Sequence, residues 1–230
     1  MPTFIIDNNI GLSKPLEFSK EDEHHILNVL RLKSGECIQV TDNRGTLASA
    51  KLITRNPLNF EITNLTKLNP PKDITLYLSL IDQDRLEWCI QKLTELNIDK
   101  IQLMISERSQ QKSLSDKKLN RLLSIALSAQ KQCGRAWPVK IELPIPLKNI
   151  QFRTDTGYFF GSMQTEKNPH TQSLDASKPV CIFIGPEGGF TTEEIESFKN
   201  QNAIPIHLGE TVLRSETAAL ALAVLVLFQG

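Results

Sequence analysis

The stretch Val180-Cys-Ile-Phe-Ile-Gly-Pro-Glu-Gly-Gly-Phe190 decides the fold, together with Leu208-Gly-Glu-Thr-Val-Leu-Arg-Ser-Glu-Thr-Ala218, which follows it. Each stretch contains an apolar run with β-branched residues, a glycine loop and the start of a helix. Two such units in series predict two loops at the same edge of one parallel sheet, where α/β proteins bind ligands. Thr191 and Glu194 have the spacing of a capping box, which predicts that the helix after the first loop begins there.

Neither loop carries a familiar nucleotide-binding signature. The sequence Gly-Pro-Glu-Gly-Gly at 185–189 is not G-x-G-x-x-G, and no G-x-x-x-x-G-K-[ST] motif occurs in the chain. Glycines allow the backbone to approach a ligand closely, because no Cβ stands in the way. A valine at Gly188 is therefore expected to occupy the ligand's place. The two loops predict a ligand site that is neither a Rossmann dinucleotide site nor a P-loop.

The chain is expected to form two domains with a boundary at Asn69-Pro-Pro-Lys72, where two prolines force an extended backbone. Short alternating apolar runs and a helix over 20–30 predict a small β-barrel domain over residues 1–70. Strands and helices alternate over residues 73–230 and predict an α/β domain with a largely parallel sheet. A helix capped by Ser115 is expected to end near Gly134, with leucines 119, 122, 123 and 127 facing inward.

The overall charge does not favour a nucleic-acid partner, since 26 basic residues balance 26 acidic ones. Residues 105–135, however, contain seven basic and two acidic residues. This cluster is either a solvated helix face or a contact to an RNA backbone.

Other features point to a cytoplasmic protein without a membrane span. The start of the chain does not have the pattern of a signal peptide. The apolar segment 218–228 has eleven residues where a span needs about 20, and it predicts a fully buried helix. The four cysteines are scattered and are expected to be reduced and mostly buried. His24 and His25 lack acidic or cysteine partners at ligand spacing, so no metal site is expected.

Six segments, in order along nearly the whole chain, resemble the motifs of the bacterial small-subunit rRNA uridine-N3 methyltransferases. That family belongs to the SPOUT superfamily of S-adenosylmethionine-dependent, trefoil-knotted enzymes. The six segments are His24–Arg31, Asp84–Leu96, Ser106–Ser109, Gln132–Arg135, Ile184–Phe190 and Leu208–Ala218.

The resemblance implies a C-terminal SPOUT trefoil-knot domain preceded by a PUA-like RNA-binding β-barrel. It implies methylation of uridine N3 in 16S rRNA, in the context of the small ribosomal subunit, by a cytoplasmic homodimer that needs no metal. S-adenosylmethionine is expected between the two glycine loops and a third loop that follows a strand at 158–161. The implied cofactor-binding residues are Gly161, Ile184, Gly185, Pro186, Glu187, Gly188, Gly189, Leu208, Gly209, Val212, Leu213 and Ala218. The implied RNA-binding residues are His25, Arg31, Arg108, Lys112, Arg121 and Arg135.

Methylation of uracil N3 requires that the N3 proton leaves and that the charge on O2 and O4 is stabilised. Arg214 is the predicted catalytic residue for the charge, because a guanidinium is always ionised and offers paired donors. The alternative is that Arg214 only binds carbonyls at the end of its loop. Glu187, Glu210 and Glu216 are the candidates for the base. Glu216 is preferred because it accompanies Arg214 in the Arg-x-Glu-Thr motif.

Two other functions fit the same motifs. One is a related SPOUT enzyme that methylates a ribose 2′-hydroxyl or a tRNA, and the other is a non-catalytic RNA-binding protein that keeps the fold. The chain also departs from the family pattern at Asp82-Gln83, Asn97 and Met104. The family usually has lysine-glycine, glycine and proline there. The first departure replaces a positive charge with a negative one and argues against an RNA contact at that position.

Overall fold

The computed structural model describes residues 1–6, 8–12, 14–162 and 178–228. The chain divides into two compact units. The first contains residues 1–70 and 127–138, and the second contains residues 71–126 and 139–230. The expected boundary at 69–72 lies at the first division, whereas the sequence did not indicate that segment 127–138 packs within the N-terminal unit. The limits of the two predicted domains, residues 1–70 and 73–230, stay a prediction.

The N-terminal unit contains a four-stranded sheet in the order β1-β2-β3-β4. β1 is parallel to β2, and the other two pairs are antiparallel. Its core consists of alternate residues that point to one face, including Ile38, Val40, Ala50 and Leu52, each fully buried. The predicted strands and helix are present, and the sequence missed only the short β1. The elements are β1 Thr3–Ile5, α1 Lys20–His24 followed by a π-helical turn His25–Val29, β2 Cys37–Thr41, β3 Thr46–Arg55 and β4 Leu58–Lys67.

Segment 127–138 is held in this unit by a tight turn at Gly45. The backbone of Gly45 donates to the Ala136 carbonyl at 3.2 Å, and the Trp137 indole donates to the Leu68 carbonyl at 3.2 Å. Gly45 has φ +88°, and a Cβ there would lie 2.6 Å from the Trp137 ring. Glycine is required at this position both for its backbone conformation and for the close approach of the ring.

The second unit is built on a six-stranded sheet in the order β10-β8-β9-β5-β6-β7. All five strand pairs are parallel, which confirms the predicted parallel sheet. The sequence missed the edge strand β7. The elements are β5 Ile74–Ser79, α2 Gln83–Glu95, β6 Lys100–Ile105, α3 Asp116–Cys133, β7 Lys140–Pro146, a 3-10 turn Leu147–Asn149, β8 Gly157–Gly161, β9 Val180–Ile184, α4 Thr192–Asn200, β10 Ile204–Ile206 and α5 Ser215–Leu227.

The central strands are apolar along their length because helices cover both faces of the sheet. One large core includes Leu86 of α2, Leu222 of α5 and Leu78 of β5. α4 contributes Phe198 to a second core, which is rich in aromatic rings and includes Phe183. Because β10, β8 and β9 are parallel neighbours, their carboxyl ends lie at one edge of the sheet.

Several local signals in the sequence are realised. Thr191 caps α4 in a reciprocal capping box with Glu194. α3 ends at Cys133 before Gly134, whose φ of +71° places it in the left-handed region. Asn97 replaces the usual glycine of the family without disrupting the helix end. Its φ is +63°, a conformation that asparagine tolerates better than most residues.

Two expectations of burial are wrong. Leu123 and Leu127 on α3 are 42% and 45% exposed, although both were expected to face inward. The last helix, α5, is not fully buried, since Val224 is 40% exposed and Phe228, which follows the helix, is 76% exposed. Residues 217, 220, 221, 224 and 228 share this uncovered face, at the i, i+3, i+4 spacing of one helix side.

Two further expectations can be compared with the structure. Cys37 and Cys133 are exposed free thiols, whereas all four cysteines were expected to be mostly buried. In the described part of the chain, no helix is long and apolar enough to cross a membrane.

Candidate functional site

A cavity of about 310 Å³ lies at the carboxyl edge of the second sheet. Its wall is formed by the end of β8 at Gly161 and Ser162, by the loops that follow β9 and β10, and by the first turn of α5. Residues 163–177, which contain most of the third loop that the resemblance implies, lie outside the described residues. The floor of the cavity is apolar, with Ile184 and Ile206 from the strand ends and Ala218 from the helix. A volume near 300 Å³ with an apolar floor and a few polar groups is typical of a small-molecule site.

Eleven of the twelve residues predicted to bind the cofactor line this cavity. Gly188 is the exception. A Cβ at Gly188 would lie 3.4 Å from Arg108 Cδ and 3.5 Å from Arg108 Cβ, so this glycine faces the arginine side chain. The structure therefore corrects the expectation that a side chain at Gly188 would fill the cofactor's place.

The glycines that shape the cavity act in two ways. Gly185 packs across its own loop, because a Cβ there would lie 3.3 Å from both the C and Cα atoms of Gly189. Gly189 has φ +67° and Gly209 has φ +121°, backbone conformations that residues other than glycine rarely adopt. Within the described residues, a Cβ at Gly209 would meet no atom within 4 Å, and this glycine lines the cavity.

The segment 106–109 supports the first glycine loop from behind. Arg108 donates from Nη1 to the Gly188 carbonyl at 2.9 Å and to the Phe190 carbonyl at 3.3 Å. The Glu107 backbone donates to Glu194 Oε1 at 2.8 Å. Ser106 and Ser109 form a buried hydroxyl pair at 3.0 Å beneath this turn. Arg108 thus fixes the cavity loop, a role that its prediction as an RNA-binding residue did not include.

Arg214 occupies the N-cap position of α5 and lines the cavity. Its residue is exposed, and its side chain makes no capping hydrogen bond. The guanidinium therefore stands at the mouth of the site, where a substrate could meet it.

Glu216, the preferred base, lies elsewhere. Its residue is 9% exposed, it does not line the cavity, and its Oε2 atom is buried without a hydrogen-bond partner within the described residues. Oε1 lies 3.9 Å from Arg85 Nε on α2. Burial raises the pKa of the Cys89 thiol to about 12, and the negative charge of Glu216 adds to this shift. The structure thus corrects the prediction that Glu216 takes the proton directly, because its carboxylate is turned toward α2.

Arg85 is the charged cavity residue to which the sequence assigned no role. Its Nη1 atom lies 3.7 Å from Glu187 Oε1, and it lines the cavity beside Arg214. Asp82, one of the departures from the family pattern, caps α2 through its side chain and donates its backbone N–H to Glu187 Oε1 at 3.2 Å. The only sequence signal for Arg85 is its place in the Asp-Arg pair of a family motif. The other cavity residues that the sequence did not indicate are Ser162, Phe190, Ile206, His207, Thr211 and Ser215.

The residues predicted to bind RNA differ in their exposure and in the contacts that they make. His25 and Arg31 are exposed in the N-terminal unit. Arg121 is exposed but bonded to Glu87 at 2.6 Å, and this contact holds the pKa of Glu87 below its usual value. Lys112 donates to the carbonyls of Ser106 and Glu107 at 3.1 and 2.6 Å.

Arg135 is a correction to the RNA-binding set. It is 6% exposed, and its guanidinium donates to the carbonyls of Trp137 and Pro138. Its charge therefore holds a turn within the protein.

The described residues contain no group of three histidine, cysteine, aspartate or glutamate side chains that could hold a metal ion.

Comparisons with known proteins agree with this geometry. Residues 68–227 match the model of an RNA methyltransferase domain, and residues 18–63 match that of an RNA methyltransferase PUA domain. A relative from Bacillus subtilis, ribosomal RNA small subunit methyltransferase E, is 31% identical, with 87% of this chain and 84% of the relative covered. The protein of the same name from Rickettsia conorii is 28% identical, with 94% and 90% covered.

Solved structures give the same result. The ribosomal RNA small subunit methyltransferase E from Neisseria gonorrhoeae, bound to S-adenosyl methionine, matches with a TM-score of 0.84 and 28% identity, over 97% of this chain and 95% of that one. A Legionella pneumophila protein in complex with the same cofactor matches with a TM-score of 0.76 and 28% identity, over 97% and 96%. The predicted fold class, with its PUA-like N-terminal domain, is confirmed. The chain belongs to the RNA methyltransferase family, together with the proteins named ribosomal RNA small subunit methyltransferase E.

Proposed function

We propose that this protein transfers the methyl group of S-adenosylmethionine to N3 of a uridine in 16S rRNA. The observation that carries the proposal is the cavity at the carboxyl edge of the sheet. Eleven of the twelve residues where the family resemblance places the cofactor line this cavity. The names of the relatives supply the substrate class, since they are ribosomal RNA small subunit methyltransferases.

The residues of the cavity fit S-adenosylmethionine. Ile184, Leu208 and Ala218 offer apolar surface for the purine and the methylene groups of the cofactor, and the glycine loops offer backbone donors and acceptors. When bound, the cofactor supplies an electrophilic methyl group on a positively charged sulfur. The loops around this cavity are also where we place the trefoil knot that the resemblance implies.

Arg214 is the residue that we assign to the substrate. Loss of the N3 proton leaves negative charge on O2 and O4 of the uracil, and a guanidinium at the mouth of the cavity can donate to one of these oxygens. The position of Arg214 at the start of α5 gives it a fixed backbone, because the helix begins at Ser215. A fixed donor needs little reorganisation when the charge develops.

The proposed RNA contacts are the exposed cationic residues in the predicted set. His25 and Arg31 are exposed in the N-terminal unit, which matches an RNA methyltransferase PUA domain. Arg121 is also exposed, with 66% of its side chain accessible, so an RNA phosphate can compete with the Glu87 carboxylate for its donors. An rRNA substrate within the small ribosomal subunit would place the reaction in the cytoplasm.

We also propose that the protein acts as a homodimer. The uncovered face of α5, at residues 217, 220, 221, 224 and 228, is apolar except for Thr217. A contiguous apolar face is costly in water and is typical of an interface. A second copy of the chain is the occupant that the family resemblance implies.

The experiment that tests the assignment of Arg214 is single-turnover methyl transfer to small ribosomal subunits by Arg214→Ala. The variant should lose about 10²–10³ in rate, as when one donor to a developing oxyanion is removed. Its melting temperature and its affinity for S-adenosylmethionine should stay near those of the wild type. Arg214→Lys should recover part of the rate, because it keeps the charge without the planar fork. A normally folded Arg214→Ala protein that methylates at the wild-type rate would remove Arg214 from the mechanism.

A further inference from the structure

The cavity wall contains a second guanidinium, that of Arg85, which the family resemblance did not assign to any role. Arg85 lies in the first turns of α2, and the side chain is 36% exposed. It lines the same cavity as Arg214. Among the described residues, the other charged or titratable groups on this wall are Glu187, Glu210 and His207.

Two carboxylates lie within ion-pair distance of the Arg85 guanidinium. Its Nη1 atom is 3.7 Å from Glu187 Oε1, and its Nε atom is 3.9 Å from Glu216 Oε1. Both distances are within range of an ion pair but too long for a hydrogen bond. The guanidinium makes no hydrogen bond within the described part of the chain, so its five N–H donors are not consumed.

The nearby Arg85 guanidinium suggests a structural role for Glu216. A buried carboxylate is costly, and the nearby Arg85 charge and the N-terminus of α5 both offset the burial of Glu216. At 3.9 Å from Arg85 Nε, the Glu216 carboxylate attracts the guanidinium and limits the positions that it takes at the edge of the cavity. Glu187 holds the same guanidinium from the glycine loop and is itself fixed by the backbone N–H of Asp82.

We propose that Arg85 is a second catalytic residue, which binds the uracil with its free donors and promotes ionisation of N3, and that Glu216 is its positioning residue. The inference rests on the proposed function. In the reaction the N3 proton passes to a solvent base. The N3 lone pair then forms the bond to the methyl carbon, and the carbon–sulfur bond breaks with its electron pair remaining on sulfur. Two guanidinium groups around the uracil stabilise its anion, so a strong protein base is not required.

The first test is the pH dependence of single-turnover methyl transfer to small ribosomal subunits, for wild type, Arg85→Met and Arg85→Lys. Removal of a positive charge within about 4–6 Å should raise the apparent pKa of the rate profile by about 1–3 units. At neutral pH Arg85→Met should be about 10²-fold slower. Arg85→Lys should keep the apparent pKa within one unit of the wild type, because its charge remains. The cavity groups Glu187, Glu210 and His207 are common to all three proteins, so the difference isolates Arg85.

A slow Arg85→Met protein with the wild-type pH profile would overturn the proposal, since a structural role lowers the rate without moving the pKa. Loss of S-adenosylmethionine affinity in calorimetry that accounts for the whole rate loss would also overturn it, because Arg85 would then serve the cofactor. Wild-type protein that transfers no methyl group to uridine at any pH contradicts the proposed function instead, so the two failures can be told apart.

The second test is a double-mutant cycle with Glu216→Gln. If Glu216 acts only through Arg85, the double variant R85M/E216Q should be at most threefold slower than R85M alone, although E216Q slows the wild type by at least tenfold. Equal losses in both backgrounds would make Glu216 an independent base and overturn its positioning role. The double variant also serves if R85M does not fold, because it leaves no charged Glu216 carboxylate without its partner. In that case its pH profile is compared with that of E216Q, and an unchanged apparent pKa contradicts the role of Arg85.

Discussion

A methyl group at Gly185 should weaken S-adenosylmethionine binding far more than a methyl group at Gly188, three residues later in the same loop. Both glycines have ordinary φ angles, so alanine strains the backbone of neither. The difference lies in their surroundings. At Gly185 the new Cβ would lie 3.3 Å from the backbone of Gly189, a tight contact with atoms that cannot rotate away. At Gly188 it would touch only the Arg108 side chain, at 3.4 Å or more.

The size of the effect follows from the packing. One extra methyl group in a closely packed site costs about 1–3 kcal/mol. The free loop can relieve the contact by moving, whereas the bound loop must keep its cavity-facing backbone in place. Most of the cost should therefore appear in cofactor binding, as a Kd raised about 5- to 150-fold for Gly185→Ala. Gly188→Ala should bind within twofold of the wild type.

The assay is calorimetric titration of S-adenosylmethionine into wild type, Gly185→Ala and Gly188→Ala, each checked by a melting curve. Gly188→Ala is the matched control, since it adds the same atom to the same loop. An unchanged Kd for Gly185→Ala, or an equal loss in both variants, would refute the reasoning that the packing of the loop on itself shapes the cofactor site.

Three further outcomes are expected. Arg108→Met removes the guanidinium that binds the carbonyls of the glycine loop and should weaken S-adenosylmethionine binding by up to tenfold; Arg153→Met, which breaks an exposed ion pair, should not. Val224→Lys should turn a dimer into a species near 25.9 kDa by light scattering, whereas Leu143→Lys, at an equally apolar exposed site on β7, should leave the dimer intact. The free energy of unfolding should fall between pH 9 and 12, because the Cys89 thiol is held neutral in the fold up to about pH 12 but ionises above 9 when unfolded. Cys89→Ala should reduce that slope by about 1.4 kcal/mol per pH unit, and an unchanged slope in urea titrations would show that the thiol is not responsible.

The sequence could predict the parts of the site that depend on local structure. The glycine loops, the capping box at Thr191 and the end of α3 at Gly134 each depend on neighbours within a few residues. Most of the residues that line the cavity could be predicted because the resemblance covers both loops. The position of Gly188 against Arg108 could not, because the direction of a Cα substituent requires coordinates.

The features that could not be predicted depend on contacts between distant segments. Arg85 meets Glu187 and Glu216, which follow it by more than 100 residues, and no pattern within α2 indicates this. Glu216 was chosen by its motif, but which side of α5 faces α2 is decided by tertiary packing. The same holds for α5 itself, since an all-apolar sequence does not tell which of its faces the chain covers.

The exposed leucines of α3 have a similar explanation. Leu123 and Leu127 satisfy a helical apolar pattern, yet Leu122 and Ala126 occupy the buried stripe. A broad apolar face in sequence can exceed the surface that the sheet covers. Periodicity therefore identifies the helix more reliably than it identifies the exact residues in its core.

The most direct test of the central claim is the chemical identity of the methylated nucleotide. Purified protein is incubated with labelled S-adenosylmethionine and small ribosomal subunits from a strain that lacks its gene, and the 16S rRNA is digested and analysed by mass spectrometry. We predict one labelled nucleoside, 3-methyluridine, at a single position that is unmodified in the deletion strain. A label on a ribose 2′-oxygen, on tRNA added as competitor, or on no RNA at all would contradict methylation of uridine N3 as the function of this protein.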